Sequence, residues 1–217
     1  MTEGPSSHRG TTRSSGAGAP GVRENLVVLG VSVVVLLVAS LAARAELSST
    51  EVQIFRAMNG LPENLNTIVW PFMQYGTFVT IPTLAAIALL LRRVRLAIAV
   101  LIAGAGVYLL ALVFKRIVDR GRPGALLVGV EERETFGSDS LGFPSGHAAV
   151  AAAVTAVVSA HLSARWTIVA LVVGTVVLFG RLYVGAHLPL DVIGGAALGA
   201  IAGSVVNLVV RSPDTST

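Results

Sequence analysis

Leu26 to Ala43 reads LVVLGVSVVVLLVASLAA, 18 residues without a single charge, and the fold turns on how that run is read. A hydrocarbon core roughly 30 Å thick takes ~20 helical residues to cross, so the run suits one passage through a membrane. Five further apolar stretches follow at approximately 67–91, 96–114, 148–162, 166–183 and 190–210. Together they predict an all-α fold, a six-transmembrane-helix bundle. The first stretch has a rival reading: a basic tail, an apolar run and the small-residue sequence Ala43-Arg44-Ala45 resemble a secretory signal with its cleavage site. The run is longer than the ~7 to 15 residues of a signal core and more spans come after it, which favours a retained helix.

Composition agrees. With 53% of 217 residues hydrophobic and 13% charged, the chain has too little polar surface to cover a soluble globule. The net charge of +4 is spread over short segments between apolar stretches instead of lining one face, which argues against a nucleic-acid partner. Cysteine is absent, so there is no disulfide framework, thiolate ligand or thiol nucleophile. Residues 1–24 are rich in Gly, Ser, Thr and Pro without apolar periodicity and read as a disordered tail. The expected organisation is therefore a tail at 1–24, a membrane domain at 25–211 and a short C-terminal tail at 212–217.

Between the first two stretches, Val52, Ile54, Phe55 and Met58 form a short, partly amphipathic segment that ends at Asn59-Gly60-Leu61-Pro62. It reads either as an interfacial lid or as a packed connector. Arg92, Arg93 and Arg95 between the second and third stretches, and Arg165 between the fourth and fifth, predict a cytoplasmic side that also holds both termini. The opposite side receives most of the acids, but also Lys115, Arg116, Arg120, Arg122 and Arg133, which weakens the charge rule. In the last stretch Gly195, Gly199 and Gly203 recur every four residues and read as a packing ridge.

Three segments break the apolar background at the same predicted end of the bundle. Lys115 to Pro123 reads KRIVDRGRP, with Arg116 and Arg120 expected to be snorkelling flanks. Gly142-Phe143-Pro144-Ser145-Gly146-His147 precedes the fourth stretch; Ser145 is a good N-cap, and Gly146 lets backbone N–H groups approach an anion at the helix N-terminus. Gly180 to Asp191 reads GRLYVGAHLPLD. Pro189 suits a first-turn position, which puts Asp191 about one turn from His187, with the carboxylate placed to hold one imidazole N–H. Ionisable groups in such surroundings are expensive and seldom idle. Two imidazoles, an orienting carboxylate, three strong cations and a helix N-terminus are what metal-free in-line phosphoryl transfer requires. His8 and His161 fall outside this set.

At these residues the chain resembles the type-2 phosphatidic acid phosphatase family, the lipid phosphate phosphatases. Lys115, Arg122 and Pro123 match its first motif, and Pro144, Ser145, Gly146 and His147 its second. Arg181, His187 and Asp191 match the third, in which Gly180 replaces the usual Ser. The resemblance spans about residues 48–210. It implies His187 as nucleophile, Asp191 orienting it and His147 protonating the leaving alkoxide, with Lys115, Arg122, Ser145, Gly146 and Arg181 holding phosphate. No metal and no cofactor is implied. The implied partner is a phosphorylated lipid in the membrane: phosphatidic acid, phosphatidylglycerophosphate or an isoprenoid diphosphate. Its members usually act outside the cytoplasm, which implies an extracytoplasmic site. Two other functions fit the same anion site: a lipid transporter or flippase, and a phosphotransferase.

Overall fold

The computed structural model describes residues 21–135 and 141–210, so most of the expected N-terminal tail and all of 212–217 lie outside the described residues. Helix α1 (Val22–Ala43) begins earlier than the membrane domain expected from residue 25. Its first turn is closed by the Glu24 carboxylate, which accepts from the Gly21 N–H at 2.8 Å, an acid well placed at a helix N-terminus.

Helix α2 (Ser49–Asn59) is the segment with two readings, and it is a packed connector. Ser48 caps it by accepting from Glu51 N–H at 3.1 Å. Its buried residues Glu51, Phe55 and Asn59 lie four apart on one face, and Phe55 packs against Ala148, Leu182, Leu188 and Val192.

The second apolar stretch is not one helix. Helices α3 (Asn66–Met73) and α4 (Thr80–Leu90) flank a 3-10 turn at Gln74–Gly76 and are bent by 69°. Pro71 inside α3 lacks a backbone donor, and Thr77 is extended. The Gln74 carbonyl accepts from the Thr77 N–H at 3.0 Å and also from the hydroxyls of Thr77 at 2.7 Å and Thr80 at 2.6 Å.

Helix α5 (Val94–Val118) ends where Asp119 turns left-handed at φ 52°, and a single turn, α6 (Pro123–Leu126), follows. Helices α7 (Gly146–Ser159), α8 (Ala164–Tyr183) and α9 (Pro189–Val210) complete the order. All six apolar stretches are helical. By length and hydropathy, however, α1, α5, α8 and α9 are four candidate spans, and the bent α3 and α4 make a fifth. The 14 residues of α7 rise only about 21 Å, short of the hydrocarbon core.

Helix α7 sits at the centre, with α9 as its closest neighbour, and the glycine ridge explains their approach. A Cβ at Gly195 would stand 2.3 Å from the Ser145 carbonyl oxygen, and one at Gly199 2.2 Å from that of Ala149. Only bare backbone allows this contact. It fixes the start of α7 against the start of α9, where the ionisable residues lie.

Candidate active site

Three backbone ties gather the motif residues at one end of the bundle. Gly121 and Leu141 form an isolated antiparallel bridge, beside which the Gly142 N–H donates to the Arg120 carbonyl at 2.6 Å. The Ser145 N–H donates to the Asp191 carbonyl at 2.8 Å, which links α7 to α9. The N–H groups of Ala186 and His187 both donate to the Arg181 carbonyl, at 3.1 and 3.2 Å, folding the α8–α9 turn back on itself. Gly142 passes over Asp191 so closely that a Cβ there would be 2.9 Å from Oδ2.

His187 Nδ1 faces Asp191 Oδ2 at 3.7 Å, a charge contact longer than a hydrogen bond. The carboxylate is held by other donors: Oδ2 accepts from Leu188 N–H at 2.9 Å and Oδ1 from Arg120 at 3.0 Å. The pair thus has the expected one-turn relation, but in this state the imidazole N–H is not bonded to the carboxylate. Nδ1 is buried without a hydrogen-bond partner. Burial, followed by the positive charges of Arg181, Arg122 and Lys115, holds the His187 imidazole well below the usual histidine range, so the ring is neutral. His147 lies within the electrostatic reach of Arg181, His187 and Arg122.

Lys115 Nζ donates to the Leu141 carbonyl and to that of Gly142 at 3.4 Å. Arg122 donates to the Ala186 carbonyl at 3.1 Å. Ser145 Oγ caps α7 by accepting from Ala148 N–H at 3.4 Å. Gly146 opens the helix, and no heavy atom lies within 4 Å of where a Cβ would stand there. The cations therefore grip carbonyls that frame the site while their charge converges on the α7 N-terminus, a combination suited to an anion.

Arg120 is not a snorkelling flank. It is buried at 6% exposure and bridges two buried carboxylates, Glu51 at 2.6 Å and Asp191 at 3.0 Å. Glu51 Oε1 also accepts from Leu190 N–H at 3.1 Å. Arg116, by contrast, is exposed as expected. Sequence reasoning missed Glu51, although its place on the buried α2 face with Phe55 and Asn59 was a signal. It also missed Glu134, whose Oε2 accepts from Arg181 at 2.5 Å.

Gly180 has a different neighbourhood from the one its motif position implied. A Cβ there would be 2.8 Å from Met73 Cγ and 3.0 Å from Val69 Cγ1, so α3 packs where a side chain at this position would start.

A family model described as the PAP2 superfamily matches residues 94–213, more than half of the chain. A decaprenylphosphoryl-5-phosphoribose phosphatase from two strains of Mycobacterium tuberculosis is 36% identical over 116 residues, 50% of this chain and 60% of that protein. The match thus spans less than two thirds of those relatives' length. Among solved structures, LpxE of Aquifex aeolicus superposes with a TM-score of 0.66 at 24% identity, covering 73% of this chain and 95% of that one. A transmembrane PAP2 type phosphatidylglycerolphosphate phosphatase from Bacillus subtilis gives 0.69 at 22% identity, covering 83% and 94%. These likenesses extend the fold beyond the matched region to the helices before residue 94. With its three motifs drawn to one end of an all-helical membrane bundle and the family model spanning more than half of its length, the chain belongs to the PAP2 superfamily.

Proposed function

We propose that this protein is a membrane lipid phosphatase working through a phosphohistidine on His187. The observation that carries the reading is the convergence of a neutral, buried His187, its Asp191 neighbour, His147 and the cations Lys115, Arg122 and Arg181 around the open N-terminus of α7. In the proposed reaction His187 Nε2 attacks phosphorus and forms an N–P bond as the bond to the lipid oxygen breaks. His147, kept neutral by burial and the nearby cations before substrate binds, takes up a proton as the phosphate's negative charge enters beside it and gives it to that oxygen, releasing the lipid alcohol, or the lipid monophosphate from a diphosphate. The proton on His187 Nδ1 turns toward Asp191, which steadies the charge that develops on the ring. Water then attacks phosphorus, His147 takes its proton, and the N–P bond breaks to release inorganic phosphate and neutral His187. Lys115, Arg122, Arg181 and the α7 backbone N–H groups hold the phosphoryl oxygens throughout.

The site lies at the end of the bundle opposite Arg92, Arg93, Arg95 and Arg165, which supports an extracytoplasmic site and a substrate drawn from the outer leaflet. The similarity to a decaprenylphosphoryl-5-phosphoribose phosphatase adds a polyprenylphosphoryl sugar phosphate to the candidate substrates. The test is phosphate release by the purified protein from that class, phosphatidic acid, phosphatidylglycerophosphate and an isoprenoid diphosphate. At least one should be hydrolysed, and His187→Ala should fall below a few per cent of the wild-type rate while staying folded, since removing the nucleophile removes the covalent route. A His187→Ala variant with near-native rate overturns the mechanism.

A further inference from the structure

Far from the candidate site, a groove of about 360 Å³ opens between α4, α5, α7 and α8. Its walls are mostly aliphatic, with Leu84, Ile87 and Val173 among the lining residues, and Tyr75 and Trp166 also border it. Such a volume falls in the range of ligand pockets, about 300 to 1,000 Å³. Apart from Arg93, which carries charge, the lining side chains are apolar or aromatic, so the groove suits a hydrocarbon chain.

The groove's mouth is cationic. Arg93 and Leu96 line both the groove and an adjoining surface pocket bordered by Arg92, Arg95 and His161. No acid occurs in the segments 91–95 and 160–165 that frame it. Two long helices start here, α5 after Arg93 and α8 after Ser163, and neither has a side-chain cap, so their first N–H groups add positive potential. Arg92 is held left-handed at φ 57°, where glycine or asparagine costs less, yet the position carries a cation.

We propose that this groove binds one chain of an anionic phospholipid from the adjoining leaflet, with the headgroup phosphate seated on Arg92, Arg93 and Arg95. Charge complementarity selects the headgroup and the aliphatic walls take the chain. The site is separate from the one at His187, and the inference does not rest on the phosphatase reading, because lipid retention is measured without turnover.

The test is native mass spectrometry of the full chain after incubation with equal amounts of dioleoylphosphatidylglycerol and dioleoylphosphatidylcholine. Wild-type protein should retain the anionic lipid with a preference on the order of a hundredfold, three cations near the headgroup adding about fivefold each. The triple variant R92Q/R93Q/R95Q should lose most of that preference. Ala170→Phe, which fills the groove without changing charge, should lower retention of the same lipid by about one molecule per chain. Added inorganic phosphate should not displace it. Monodisperse elution and unchanged helical circular dichroism show that each variant is folded, and the two variants test headgroup and chain separately. Equal retention of both lipids by wild type, an unaltered preference in the triple variant, undiminished retention in Ala170→Phe, or displacement by free phosphate would each overturn the proposal.

Discussion

Protonating His187 would put a charge on a buried ring already faced by Arg181, Arg122 and Lys115. The lowered pKa means that the neutral, nucleophilic form persists as pH falls below ~6.5, and activity is lost only as pH drops through the lower value. The acid limb of kcat/KM set by this group should therefore lie below that of an ordinary imidazole. Lys115→Met removes one repelling charge and should move the limb upward, besides lowering the rate; a limb that stays put or moves down contradicts the electrostatic account. Gly180 supports a second expectation. Its motif position suggests that Gly180→Ser adds a phosphate contact, changing binding by ~1 to 3 kcal/mol. The neighbouring Met73 and Val69 make it an overpacking change instead, with a cost of about 1 to 3 kcal/mol. Gly180→Ser should lower the thermal midpoint in detergent, and Met73→Ala in the same chain should recover part of the loss, because the flexible thioether is the group in the way. Strictly additive effects of the two changes would exclude the packing explanation. Motif spacing singled out Lys115, Arg122, Arg181, His187 and Asp191, but it carried no information on what stands beside Gly180, since Met73 lies more than 100 positions away.

Helix α2 shows how a connector becomes part of a site. Its face of Glu51, Phe55 and Asn59 is turned inward, and Glu51 accepts from both terminal guanidinium nitrogens of Arg120, which otherwise leans on Asp191 alone. Asn59 fastens the other end by donating to the carbonyls of Glu131 at 2.9 Å and Tyr183 at 3.0 Å. Breaking a buried ion pair by removing one charge costs ~3 to 5 kcal/mol, because the remaining charge stays buried. Glu51→Gln should thus lower the thermal midpoint and reduce kcat on the order of tenfold with little change in KM, as the freed Arg120 draws the Asp191 carboxylate from His187. Glu46→Gln, in the exposed stretch just before α2, should do neither. If the two variants behave alike, α2 does not position Asp191. Hydropathy located six apolar stretches, all of them helical, because apolar length is a local property. The 69° bend between α3 and α4 escaped it, since Pro71 and Thr77 change direction without changing hydropathy. Arg120 escaped as well: a basic residue after a span looks like a snorkelling flank until Glu51, 69 positions earlier, is seen to cover it.

The structure also bears on how charge orients the whole molecule. In the sequence, the basic residues around Lys115 to Arg133 nearly balance the tail, Arg92, Arg93, Arg95 and Arg165. The positive-inside rule concerns cations that face solvent and lipid headgroups, not those neutralised inside the protein. Arg120 is neutralised by Glu51 and Asp191, and Arg181 pairs with Glu134. Arg133 donates to the carbonyls of Asn59, Tyr183 and Leu61, while Lys115 is bound to Leu141 and Gly142. Discounting these internal charges leaves exposed arginines at 92, 93, 95 and 165 at one end against Arg44, Arg56 and Arg116 at the other, a narrow balance that favours a cytoplasmic position for the first group and an outward-facing His187. The absence of native cysteine makes labelling decisive. Val128, 90% exposed after α6, lies at the site end, and Ser163 precedes α8 at the other. In intact cells Val128→Cys should react with a thiol reagent that cannot cross the membrane, whereas Ser163→Cys should react only after lysis. The reverse pattern would place catalysis in the cytoplasm and restrict the substrate to the inner leaflet. It would leave the chemistry at His187 unchanged, because the relation between that ring, Asp191 and the α7 N-terminus is independent of which way the bundle faces.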